Sequence, residues 1–197
     1  MRALNSGPRR PLSGTALKGL ALASMTIDHA AAVILNRGLF YSGAAYTQAH
    51  LTLYWVCRGI GRLAFPIYCF LLAEGFAHTS DRRAYAGRLA LFALLSELPF
   101  DLALYGVPVY TGYQNVFFTL LLGLLALCAL NAGSLPLPLR WAGPLACVLA
   151  AEALHTDYGG FGVLLVLVMY LGRGSRLTQT AAAGLLVLAQ AVRRAQG

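Results

Sequence analysis

Residues 58–79 read RGIGRLAFPIYCFLLAEGFAHT. A run this apolar and this long is enough to cross a bilayer, which takes about 20 residues. Yet it carries Arg58, Arg62 and Glu74. Other apolar stretches hold Asp28 beside His29, and Glu97 four residues before Asp101. An ionised side chain near the bilayer centre costs roughly 2.5–3.5 kcal/mol on insertion scales. Charges kept at that cost point to pairing or to function.

The composition places the rest of the chain in the same class. Of 197 residues, 58% are hydrophobic and 11% charged, and the mean hydropathy is +0.66. A soluble domain carries about 25% charged residues. The expected fold is therefore all-α: a polytopic transmembrane bundle of about six to seven helices. Residues 1–14 form a cytoplasmic tail, and 15–197 form a single transmembrane domain. The net charge of +8 does not make a nucleic-acid binder, because no basic face with interleaved aromatics is present. Cys57, Cys69, Cys128 and Cys147 lie in apolar segments without metal-ligand spacing, and read as small buried hydrophobes. No metal site is expected.

Arg2, Arg9, Arg10 and Lys18 precede an apolar run and imitate a leader peptide, with Arg9-Arg10 hinting at a twin-arginine signal. Asp28-His29 interrupts that run and more apolar spans follow, so a retained first helix is expected. Apolar segments fall at about 15–36, 52–77, 84–104, 114–131, 140–155, 160–172 and 178–192. The last three are short for a span, and whether 178–192 crosses the membrane stays open. Arg82, Arg83 and Arg88, then Arg140, then Arg173 and Arg176 alternate with loops that hold only Arg37. That bias puts the N-terminus in the cytoplasm. Arg193 and Arg194 break the pattern.

Depth follows from a rise of 1.5 Å per residue. Asp28, His29 and Arg62 fall near the midplane. Arg58 lies one turn further out, and Glu97, Asp101, Asn115 and Thr119 fall in the outer half. Ion pairs of Asp28 with Arg62, and of Arg58 with Glu97 or Asp101, are expected. Such pairs either hold the bundle together or serve chemistry, and buried pairs add little net stability. His29 is the mid-span histidine, and its proton affinity near neutral pH suits a general base. Asp28 is its chain neighbour, about 100° around the helix, so an Asp–His relay needs another residue. Pro66 is placed to kink the second span. At the cytoplasmic side Glu74, His78, Lys18, Arg82, Arg83 and Arg88 form a collar suited to an anionic cofactor. Positive-inside orientation accounts equally for the loop arginines. No Gly-x-Ser-x-Gly elbow, phosphate-binding glycine loop or His-rich metal cluster is present, so hydrolase, ATPase and metalloprotease readings lack support.

The blocks LKGLALASMTIDHAA, RGIGRLAFPIYCFLLAEGFAHTSDRRAYAGRLALFALLSELPFD and NVFFTLLLG occur in that order over residues 17–123. Together they resemble the TraX family of membrane proteins linked to conjugative pili, with a weaker echo in DYGGFGVLL at 157–165. The family's namesake is an acetylase of the pilin N-terminus, and the family is similar to larger membrane acyltransferases. The resemblance singles out Asp28, His29, Arg58, Arg62, Pro66, Glu74, His78, Arg88, Glu97, Pro99, Phe100, Asp101, Asn115 and Thr119. It implies an integral acetyltransferase of the bacterial inner membrane that takes its acetyl group from cytosolic acetyl-CoA. The acceptor would be an amine or hydroxyl, such as a pilin N-terminus or a surface glycan.

On that reading the catalytic set is His29, Asp28, Arg62, Arg58, Glu97, Asp101 and Asn115. His29 is base or transient acetyl carrier, and an arginine or Asn115 stabilises the oxyanion. The basic collar holds the phosphates of acetyl-CoA. Two other classes stay open, a small proton-coupled transporter and an assembly factor for a conjugation or secretion system. Partners are the bilayer, acetyl-CoA and an unidentified acceptor. A homodimer is compatible with the small residues Gly59, Gly61 and 30–32.

Overall fold

A computed structural model of the chain describes residues 13–38, 47–134 and 136–196, the side chains of 36–38 and 189–196 excepted. Arg2, Arg9 and Arg10, and the side chains of Arg37, Arg193 and Arg194, therefore lie outside the described residues. Helix α1 (Gly14–Ala30) starts where the Ser13 hydroxyl accepts from the Ala16 N–H. It widens into a π-helical stretch, Ala31–Gly38, directly after His29. Helix α2 (Gln48–Gly61) opens on a reciprocal cap between Thr47 and His50. Helices α3 (Ala64–His78) and α4 (Arg82–Leu104) follow, the second capped by Asp81. Then come α5 (Val116–Leu130), α6 (Leu137–Ala153), α7 (Gly159–Leu171), a 3-10 turn (Gly172–Gly174) and α8 (Arg176–Gln196).

The all-α expectation and the seven apolar segments are observed, with one difference. The second segment is two helices, broken at Arg62 and Leu63. Pro66 explains the break. It has no N–H to give the Arg62 carbonyl, and its ring crowds that carbonyl. Gly14–Leu35 and Gln48–His78 are long and apolar enough to cross a membrane. Val116–Leu130 and Gly159–Gly174 are apolar but shorter.

Helix α7 is the central element, packed against α3, α5, α6 and α8. Its Val163, Leu165 and Val166 are fully buried. Gly123 lets α5 approach it, since a Cβ there would stand 2.9 Å from Val166 Cγ2. Helix α1 packs on α2 and α3, and its π stretch touches α2 and α4. The outward faces are apolar as well. Trp55 is 61% exposed, Leu94 67% and Leu145 60%. An apolar outer surface of this extent marks contact with a membrane or a partner.

Candidate functional site

Short helices α5 and α7 have a structural cause: their N-termini begin inside the bundle. Asn115 caps α5 through its own Oδ1, which accepts from the Phe117 N–H at 2.9 Å. Its Nδ2 donates to the Ala93 carbonyl at 2.8 Å and to Glu97 Oε2, and its N–H reaches the same Glu97 oxygen at 3.2 Å. Ala93 and Glu97 lie two to three turns below the end of α4. The connection 105–115 therefore folds back along α4 by roughly 10–16 Å. Connection 154–158 enters to the same level. The Gln114 N–H donates to the His155 carbonyl at 3.1 Å, and the Asp157 N–H to the Gln114 carbonyl at 2.8 Å.

Irregular backbone inside a bundle persists only where the protein satisfies its polar groups. The buried polar side chains do this. Asp101, 1% exposed, accepts from the Tyr110 N–H at 2.7 Å. The Thr119 hydroxyl, fully buried, meets the Thr156 hydroxyl at 3.0 Å and donates to the Asp157 carbonyl. Stacked rings close the outer side, Tyr105 on Tyr110 and Phe100 on Tyr113. Glu97 Oε1 and Asp101 Oδ1 are buried without a hydrogen-bond partner among the described residues.

A cavity of about 450 Å³ opens where the two folded-back connections face α1. Its polar lining includes Thr26, His29, Ser96, Asn115 and Asp157, with Met25, Phe100 and Ala103 among the apolar walls. His29 Nδ1 lies 2.8 Å from the Met25 carbonyl. A carbonyl only accepts, so Nδ1 carries the hydrogen and the neutral ring keeps its lone pair on Nε2. Asp157 Oδ1 accepts from the Tyr113 hydroxyl at 2.8 Å.

The ion pairs differ from the expected ones. Arg58, not Arg62, binds Asp28, at 2.5 Å. Gly61 makes room for it, since a Cβ there would fall 2.2 Å from Asp28 Cβ. The break in the second segment decides this, because Arg62 is already the residue after α2 and stands exposed. Arg62 still acts on Asp28 electrostatically. Arg58 does not pair with Glu97 or Asp101, whose partners are Asn115 and the Tyr110 N–H. Both Nδ2 hydrogens of Asn115 are used, so it has none to offer an oxyanion.

A second cavity of about 700 Å³ lies between α1, α3, α4 and α5, toward the opposite end. Lys18, His78, Arg88, Tyr68 and Tyr85 line it, and Phe117 lines both cavities. Three of the six collar residues thus converge here. The other three do not line it. Glu74 is held by Arg173 at 3.0 Å and lies 3.7 Å from His78. The Arg82 guanidinium lies 4.4 Å over the Phe76 ring, and Arg83 is exposed.

Sequence reasoning passed over Asp157, Tyr113 and Ser96. A signal for Asp157 existed: the chain has only seven acidic residues, and this one opens the DYGGFGVLL block. Among the described residues no group of three or more His, Cys, Asp or Glu side chains is placed to hold a metal ion.

Residues 13–195 match the model of a family described as TraX protein. The chain is 35% identical over 188 residues to a probable fimbrial assembly protein FimC of serogroup H1 from Dichelobacter nodosus. That alignment covers 88% of this chain and 70% of the relative. No solved structure matches.

Proposed function

The chain belongs to the TraX family, and from that premise we propose that it is a multi-pass membrane acetyltransferase acting in the assembly of a surface fibre. One observation carries the reading. Two cavities lie in series along the seam between α1 and α4, meeting at Phe117, with His29 in one and Lys18, His78 and Arg88 in the other. About 16 Å of helix rise separates Lys18 from His29 on α1. The basic cavity suits the phosphates of acetyl-CoA, entering from the cytoplasm. The acetyl end then reaches past Phe117 to His29.

The chemistry balances on groups at hand. The acceptor, an amine or hydroxyl, presents its X–H to His29. Nε2 takes the proton as the X–C bond forms and the thioester C–S bond breaks, and the imidazolium returns that proton to the CoA thiolate. The Met25 carbonyl holds the ring in the required tautomer throughout. With Asn115 engaged, the Ser96 hydroxyl on the α4 wall is the donor assigned to the oxyanion. Asp28 and Arg58 are assigned to holding α1 on α2, one residue from the base.

The apolar outer faces and the two long apolar stretches support a membrane location. The name of the relative favours a second reading, an assembly factor without catalysis. Calorimetry on the purified protein in detergent separates the two. Saturable acetyl-CoA binding, competed by CoA and weakened at least about tenfold in Arg88→Ala, supports transfer. Well-folded protein that binds no acetyl-CoA leaves the assembly role alone.

A further inference from the structure

We propose that Asp157 anchors the acceptor in the His29 cavity by taking a hydrogen bond from its amine or hydroxyl group, a role that rests on the transferase reading. His29 and Asp157 line one cavity from different parts of the chain, α1 and the connection between α6 and α7. The other carboxylates nearby are engaged elsewhere. Arg58 takes Asp28, and Glu97 and Asp101 hold the folded-back connection. Neither Glu97 nor Asp101 lines the cavity.

Asp157 is also fixed to an unusual degree. Tyr113 holds its carboxylate, Gln114 takes its N–H, and Thr119 donates to its carbonyl. On either side stand His155 at φ 50° and Tyr158 at φ 66°. Neither is glycine, and each left-handed residue carries strain that the surroundings must offset. Tyr158 is held by Phe65, stacked at 3.7 Å. Gly162 makes that possible, since a Cβ there would stand 2.4 Å from Thr119 Cγ2 and 2.8 Å from Phe65 Cζ. Strain kept in place by such packing, at a cavity wall, marks a functional position rather than a loose turn.

The role is one of orientation and charge. A carboxylate facing the acceptor turns its X–H toward Nε2 and offsets the positive charge that His29 gains in the step. Asp157 forms and breaks no covalent bond.

The test compares wild type, Asp157→Asn, Asp157→Glu and Tyr113→Phe, purified in nanodiscs. Radiolabelled acetyl-CoA is the donor. A short peptide with a free N-terminus and n-octanol are the acceptor probes. Asp157→Asn should bind acetyl-CoA within about twofold of wild type and raise the acceptor KM by about 10–100-fold, the loss of one charge-assisted hydrogen bond. Asp157→Glu should recover part of that loss. The probe with the larger loss identifies the acceptor class. Wild-type KM in a folded Asp157→Asn overturns the proposal. If that variant does not fold, Tyr113→Phe decides, because it leaves the carboxylate but frees it. A several-fold rise in acceptor KM supports the role, and an unchanged KM overturns it. A wild-type protein that binds no acetyl-CoA removes the transferase reading, and this role with it.

Discussion

At the residue scale, the Met25 carbonyl decides what His29 can do. It fixes the hydrogen on Nδ1 and leaves Nε2 as the basic atom. Replacing His29 with Gln keeps size and a donor but removes the base. Transfer should fall by about 10²–10⁴-fold while acetyl-CoA affinity holds, checked by radiolabel transfer beside calorimetry. Retained transfer would assign the proton to another group. Gly61 is the second residue that decides. An added methyl group would occupy the space of the Asp28 carboxylate. Gly61→Ala should cost about 1–3 kcal/mol by overpacking, read as a lower melting temperature in detergent. Gly59, two residues earlier, has nothing within 4 Å of a built Cβ, so Gly59→Ala is the matched control and should melt with wild type. His29 was legible as a candidate because mid-span histidines are costly without a use, and it lines the first cavity. The partner of Asp28 was not. Helical spacing puts Arg58 and Arg62 on one face, but only the break at Arg62 shows which of them still belongs to the helix that faces α1.

At the element scale, the positions of the segments were readable from hydropathy, and the shortness of α7 was visible too. Its meaning was not. Counting depth from segment ends assumes that connections stay outside, and here 105–115 and 154–158 turn back into the bundle. That assumption hid Asp157, while Glu97 and Asn115, expected in the same half, do meet. In the structure Glu97, Asp101 and Asn115 hold the folded-back connection. Asn115 makes the case testable, because one side chain caps α5, ties it to Ala93 and satisfies Glu97. Asn115→Ala should lose the cap, worth about 0.5–2 kcal/mol, and leave another buried Glu97 oxygen unpaired, worth about 1–3 kcal/mol. Thermal unfolding should show a marked loss. Asn115→Asp, which keeps the cap acceptor but sets a carboxylate against Glu97, should not restore stability. Restoration would mean that the cap alone matters.

At the scale of the whole molecule, the two cavities open along one seam while the outer faces of α2, α4 and α6 stay apolar. An apolar outer surface of this kind is what the proposed membrane location requires. The seam joins a basic end to the end that holds His29 and Asp157, and Phe117 stands between them as a shared wall. If donor and acceptor meet across that wall, its width sets how far the acetyl group can advance. Phe117→Trp narrows the passage without touching Lys18, His78 or Arg88. Binding of free CoA, which needs only the basic cavity, should stay within about twofold of wild type, a change worth less than one decade of Kd. Transfer from acetyl-CoA should drop by about 10²-fold, the scale of a small misplacement of the reacting atoms. Stopped-flow binding of CoA beside radiolabel transfer checks both halves. Equal loss of binding and transfer would mean that the two cavities are one site for the donor alone. Unchanged transfer would mean that the acetyl group takes a route that avoids Phe117, and the seam would then be a packing defect between α1 and α4 rather than a path.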